Sequence, residues 1–219
     1  MKLNKLLMLL LIIVIIIEIL ILINRYNPFC KVEVPQIISQ IDYDNDGIMD
    51  SQEYIYGARK DVANKVKYIN KYYAGGYPPD DEGVCTDVIW RAFMEAGYNL
   101  RDMINQDIKD NREEYSWIND IDKNIDFRRV RNLEVFFDRN AQILTNEIIP
   151  GDIQNLEQWQ GGDIVIFGEY KHIAIISDKR NAQGVPYIIH NGGPYAKEEN
   201  ALLLWRDFQG GITKHYRFS

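Results

Sequence analysis

The chain has 219 residues and a formal net charge of −7 at pH 7, and hydrophobic residues make up 46% of it. That length fits one substantial core, and the acidic balance disfavours nucleic acid, whose phosphates need a basic footprint broader than short runs such as "FRRVR". Two cysteines, Cys30 and Cys85, exclude a disulfide framework and a four-cysteine zinc site.

The first element is "LLMLLLIIVIIIEILILI", residues 6–23, interrupted only by Glu18. About twenty apolar residues span a bilayer. The exit "NRYNPFC" offers no small-residue cleavage site, so the run is expected to be an uncleaved transmembrane signal anchor. Lys2 and Lys5 place residues 1–5 in the cytoplasm and the body outside a bacterial cell membrane, with Arg25 and Lys31 weighing the other way. Glu18 is read as a tolerated residue or an aid to helix association. Residues 24–41 read as a juxtamembrane linker.

The next segment, "DYDNDGIMDSQE", has oxygen donors at the spacing of a Ca²⁺-binding loop. Asp42, Asp44 and Asp46 take positions 1, 3 and 5, and Gly47 the sharp turn. Ile48 offers its carbonyl at position 7, Asp50 takes position 9, and Glu53 the bidentate position 12. The loop resembles an EF-hand or dockerin-type loop. Its entering helix is short and no second loop follows, so one structural Ca²⁺ is expected.

From residue 54 to 219 the chain reads as one domain. Helical spacing marks "YIYGARKDVANKVKYINKYY", and glycines and prolines make "YYAGGYPPDDEG" a loop. "CTDVIWRAFMEAG" is a helix ended by Gly97. "LRDMINQDIKDNREEY" and "NLEVFFDRN" are two more. The period then shortens, with "DIVIF", "HIAIIS", "PYIIHN" and "ITKHYRF" as strands. Helices followed by strands predict an α+β fold, its N-terminal helices packed on an antiparallel sheet.

Cys85 sits where an acidic loop becomes that first domain helix. A helix N-terminus stabilises a thiolate, but Asp80, Asp81 and Glu82 oppose it, so a cationic partner is needed. Three histidines are available, His172, His190 and His215. A hairpin symmetric about Asn181 pairs Asp178 with Gly184 and His172 with His190, as neighbours on one face. One imidazole would activate the thiol and the other orient it. His215 is read as structural. A zinc site on Cys85, His172 and His190 lacks a clear fourth ligand. Cys30 is read as a bystander or an intermolecular crosslink, and no resolving cysteine near Cys85 supports a redox role.

"YYAGGYPPDDEGVCTDVIWRAFMEAG", "GGDIVIF", "HIAIISD" and "YIIHN" together resemble the bacterial NlpC-type cysteine peptidases, a papain-like superfamily. "GVCTDVIWRAF" and "NIDFRRVRNL" are closest to a branch known mainly as a domain of unknown function. The resemblance covers about Tyr72 to Phe218. It implies a papain-like fold, Cys85 as nucleophile, His172 as general base, His190 as the residue orienting it, and Tyr72 as a helper of the oxyanion. The chain departs from the common cell-wall enzymes at Val84-Cys85-Thr86-Asp87, at Gly161-Gly162-Asp163 and in a long charged insert near residues 99–160, which leaves the substrate open. The expectation is a membrane-anchored extracytoplasmic hydrolase acting on an amide bond of peptidoglycan stem peptides. The alternative is a non-catalytic envelope-binding module of the same fold.

Overall fold

The computed structural model describes Met8, residues 11–18 and residues 31–218. Residues 11–18 are helical and exposed, and the rest of the expected anchor lies outside the described residues, as does Cys30. Among the described residues no helix is long and apolar enough to cross a membrane.

Strand residues of the C-terminal half are apolar in unbroken runs because the sheet is covered on both faces. Helix α1 (Asp50–Ala63), short strands β1 (Lys67–Tyr68) and β2 (Glu82–Gly83), and helices α2 (Cys85–Glu95) and α3 (Leu100–Asp110) come first. Two 3₁₀ turns, Arg112–Tyr115 and Asp126–Arg128, lead to α4 (Val130–Asn140), β3 (Gln142–Ile143) and α5 (Ile153–Leu156). Then follow β4 (Ile164–Phe167), β5 (His172–Arg180), β6 (Pro186–His190), β7 (Lys197–Glu199), α6 (Leu202–Gln209) and β8 (Ile212–Arg217). The fold is α+β, with a six-stranded antiparallel sheet in the order β3-β8-β4-β5-β6-β7. The two-residue strands β1 and β2 pair in parallel beside it.

Alternation along the strands builds two cores. Ile164, Ile166, Ile173, Ile175, Ile189 and Tyr216 pack with the helices α1 to α4. Val165, Phe167, Ala174, Ile176, Ile188 and Ile212 pack with Trp159, Leu202 and Trp205 on the other face. Gly57 lets α1 lie directly on α2, since a Cβ there would come within 2.8 Å of Ala92 Cα.

Two boundaries differ from the sequence reading. The described part of the expected linker, residues 31–41, is a docked strap. The Val32 amide donates to the Ala182 carbonyl, Val32 and Val34 join the second core, and Gln160 binds the Ile37 amide and the Pro35 carbonyl. The helix expected through residue 73 ends at Ala63, and the chain beyond it crosses to β1.

The β5–β6 register also differs. Ile175 faces Ile189 rather than Tyr187, and a bulge lies between Ile176 and Arg180, which faces Pro186. His172 and His190 are therefore not directly opposite. A displacement of two residues keeps every side chain on its face, whereas one residue would invert it. The two imidazoles still meet, on the diagonal.

Candidate active site

The start of α2 is fixed by its third residue. Asp87 accepts the Val84 amide at 2.7 Å, the carboxylate half of a capping box, and its charge suits the helix N-terminus. It also accepts from Trp90 Nε1 at 2.8 Å and from Arg128 Nε and Nη2 at 2.7 and 2.8 Å. Arg128 and Asp87 are both buried. Arg128 donates onward to the Lys71 carbonyl, and the Thr86 hydroxyl donates to the Arg128 carbonyl. The Thr-Asp pair after Cys85 thus ties α2 to the insert, and one arginine of "FRRVR" is its buried counter-ion.

Cys85, in the first turn, is 8% exposed. Burial pushes its thiol up to about 11, opposed by the backbone N–H of Ile173 and those of Thr86 and Cys85 itself, and reinforced by Asp87. Burial wins, and the resting group is a thiol. The loop acids are engaged elsewhere, Glu82 with Lys71 and Tyr73, and Asp81 with Lys67. The Ile173 contact sets the sulfur beside the residue that follows His172, past the last β5–β6 pair. Sγ makes no hydrogen bond to either imidazole among the described residues.

The histidines form a line. His172 Nε2 lies 2.8 Å from His190 Nδ1, and His190 Nε2 lies 3.0 Å from Glu199 Oε1. Both rings pack on Trp205, His172 stacked at 4.0 Å and His190 edge-on at 4.8 Å. Burial first, then the charge of His190, holds His172 well below the usual imidazole range, and burial lowers His190 despite Glu199. With both rings neutral, the proton positions follow from the chain. A carboxylate only accepts, so His190 carries its proton on Nε2 and accepts on Nδ1. His172 then donates from Nε2, which leaves the Nδ1 lone pair as a base. Glu199 is the member of this line that sequence reading missed, because "KEE" looks like a solvated edge strand.

An open cavity of about 290 Å³ adjoins Cys85, lined in part by Tyr68, Asn70, Arg129, Arg131 and Tyr170. Tyr68 lines this cavity with Cys85, its hydroxyl pKa raised by burial and then by the charges of Cys85 and Asp87. Tyr72 is outside this cavity, 55% exposed, with its hydroxyl accepting from Asn124 Nδ2 at 3.3 Å. Tyr73 is buried and donates to Glu82 at 2.6 Å. His215 is structural as expected. It is fully buried, both nitrogens are engaged by Thr145 and Asp163, and the ring stacks on Trp159.

The acidic loop lies elsewhere. One carboxylate oxygen from each of Asp42, Asp44 and Asp46 comes within 4.8 Å of the others. Asp50 is instead buried and engaged, accepting the Tyr43 amide at 2.8 Å and the Tyr98 hydroxyl at 2.6 Å. Glu53 is 3% exposed, and burial followed by Asp44 and Asp46 pushes its carboxyl up to about 7.

A family model described as "Domain of unknown function (DUF1287)" matches residues 55–218. That range holds Cys85 and the line His172–His190–Glu199, and it begins after the acidic loop. The chain is also similar to "Uncharacterized protein YijF" of Escherichia coli (strain K12), 35% identical over 172 residues that cover 74% of this chain and 78% of that protein.

Proposed function

This chain belongs to the DUF1287 family, and we propose that it is a cysteine hydrolase of papain-like, NlpC-type arrangement that cleaves an amide bond through an acyl-enzyme on Cys85. The observations that carry this reading are the hydrogen-bonded line Glu199–His190–His172 and a cysteine in the first turn of a helix whose sulfur lies against the backbone N–H of Ile173, the residue after His172. A structural cysteine needs no such line, and a redox thiol needs a partner sulfur.

In the first step Sγ attacks the amide carbon while His172 Nδ1 takes the thiol proton, so thiolate and imidazolium form together rather than before substrate arrives. The C–N bond then breaks as His172 returns that proton to the leaving amine, giving a thioester. Water, deprotonated by the same Nδ1, attacks the thioester; the C–S bond breaks, the acid leaves, and Sγ recovers the proton from His172. His190 Nδ1 and Glu199 stabilise the transient imidazolium across the line. Backbone N–H groups at the start of α2, with Tyr68, are the donors available to the oxyanion.

Arg129 and Arg131 are exposed beside this cavity in an otherwise acidic protein, which favours a substrate bearing a carboxylate. Stem peptides of a bacterial wall meet that description, and the apolar run at residues 6–23 supports tethering at the membrane beside them. The test is to incubate the full-length chain with defined stem peptides, free and C-terminally amidated, and to follow new amino groups by mass spectrometry. The reading expects cleavage of the free acids above the amides, lost in Cys85→Ala and His172→Ala. Peptide binding retained in both variants, with no cleavage by the parent chain, would establish the binding-module alternative instead.

A further inference from the structure

We infer that Asp42, Asp44, Asp46, the Ile48 carbonyl and Glu53 form a calcium site that clamps the N-terminal segment onto the far end of the helix carrying Cys85. Three acidic side chains converging in a loop are not by themselves a site. The added observation is Glu53. Its side chain is 3% exposed, yet Oε2 is buried with no hydrogen-bond partner among the described residues. Its charged neighbours among the described residues are Asp44, Asp46, Asp50 and Glu95, all of its own sign.

A buried carboxylate oxygen without a donor is costly, and no donor or cation among the described residues offsets it. A hard cation with oxygen ligands supplies the missing partner and the missing charge together. Spacing agrees, since Glu53 is the twelfth residue from Asp42 and sits in the first turn of α1, where the charges of Asp44 and Asp46 act on it. Asp50, which the sequence pattern counts as a ligand, has both oxygens occupied and serves as the loop's anchor to Tyr98.

The loop is built against α2. Gly97, which ends that helix with φ +78°, is pressed so close that a Cβ would lie 2.8 Å from the Asp44 Cβ. Tyr43 stacks on Tyr98 at 4.0 Å between ring centres, and Tyr98 packs on Phe93 of α2. Calcium would therefore lock residues 42–53 to Gly97 and Tyr98, bracing α2 at the end opposite Cys85.

The test uses the full chain, stripped with chelator and titrated with CaCl₂ to about 10 mM by calorimetry and by thermal unfolding, a range that spans weak extracellular-type sites. One binding event is expected, with a midpoint rise of about 3–6 °C once calcium reaches about ten times Kd. Glu53→Gln separates the site from mere folding effects. It removes a buried like-charge neighbour, so the calcium-free midpoint should stay the same or rise while the calcium response disappears. Asp44→Asn should weaken binding at least tenfold. A parent chain that shows neither heat nor a midpoint shift, or a Glu53→Gln variant that responds like the parent, overturns the assignment. Neither result depends on hydrolytic activity.

Discussion

Glu199 Oε1 lies 3.0 Å from His190 Nε2, and this contact at an edge strand dictates the proton position on a ring one residue further along, His172. Removing the acceptor frees His190 to flip tautomer, after which His172 no longer has to leave Nδ1 bare. Glu199→Ala is therefore expected to lower kcat by about tenfold or more, with KM little changed. Glu199→Gln keeps an acceptor oxygen and should recover much of the loss. Equal losses in both variants, or a change confined to KM, would contradict the tautomer role.

Tyrosines 68 and 72 give a second contrast. Tyr68 lines the cavity with Cys85, and Tyr72 points to Asn124 on the surface. Loss of one oxyanion donor typically costs about 10²–10³ in kcat. Tyr68→Phe should fall toward that range while Tyr72→Phe stays near the parent. The reverse order would restore the role that the resemblance alone assigned to Tyr72.

Asp87 and Arg128 form a buried pair, and stranding one of them is expensive. Arg128→Met should destabilise the fold by about 3–5 kcal/mol in urea denaturation, because Asp87 is then a buried charge with fewer donors. Adding Asp87→Asn to that variant should return part of the loss. Strict additivity of the two changes would show that the pair is not coupled.

The pH profile of stability has a definite sign. Ordinary imidazoles titrate near 6.5, and burial lowers both His172 and His190. Below 6.5 the unfolded chain binds more protons, so this part of the stability is present above that pH and is lost as pH falls. Cys85 acts at the other limit. Its thiol moves from 9.0 up to about 11, so the stability it contributes is lost as pH rises through that window. Urea midpoints should decline on both sides, with a flatter acid limb in His172→Asn and a flatter alkaline limb in Cys85→Ala. Variant curves parallel to the parent would rule these groups out.

Local pattern carried much of the fold. Helical spacing located α2, α3 and α4, and short apolar runs located β4, β5, β6 and β8. Parity carried the histidine pair: the hairpin estimate missed the register by two residues, yet even displacements preserve the face, so His172 and His190 still met. What sequence could not supply was contact at long range. Arg128 reaches Asp87 across 41 positions, and nothing local distinguishes it from Arg129 or Arg131. Glu199 sits in a charged edge strand whose residues look solvated until β6 is laid beside it. Helix α6, with the Trp205 that holds both imidazoles, follows a turn with no capping residue to announce it. The need for a cationic partner to Cys85 also reads differently in three dimensions, since burial leaves the thiol and both rings neutral.

Hydrolysis as proposed passes through a covalent acyl intermediate on Cys85 formed with His172 as base. The most direct measurement is intact-mass analysis of the full chain, quenched in acid within seconds of mixing with a cleavable carboxylate-bearing peptide. An acyl adduct is expected that maps to Cys85, is released by hydroxylamine as a thioester is, and is missing from Cys85→Ala and His172→Ala. Hydrolysis that proceeds undiminished in Cys85→Ala would contradict it outright.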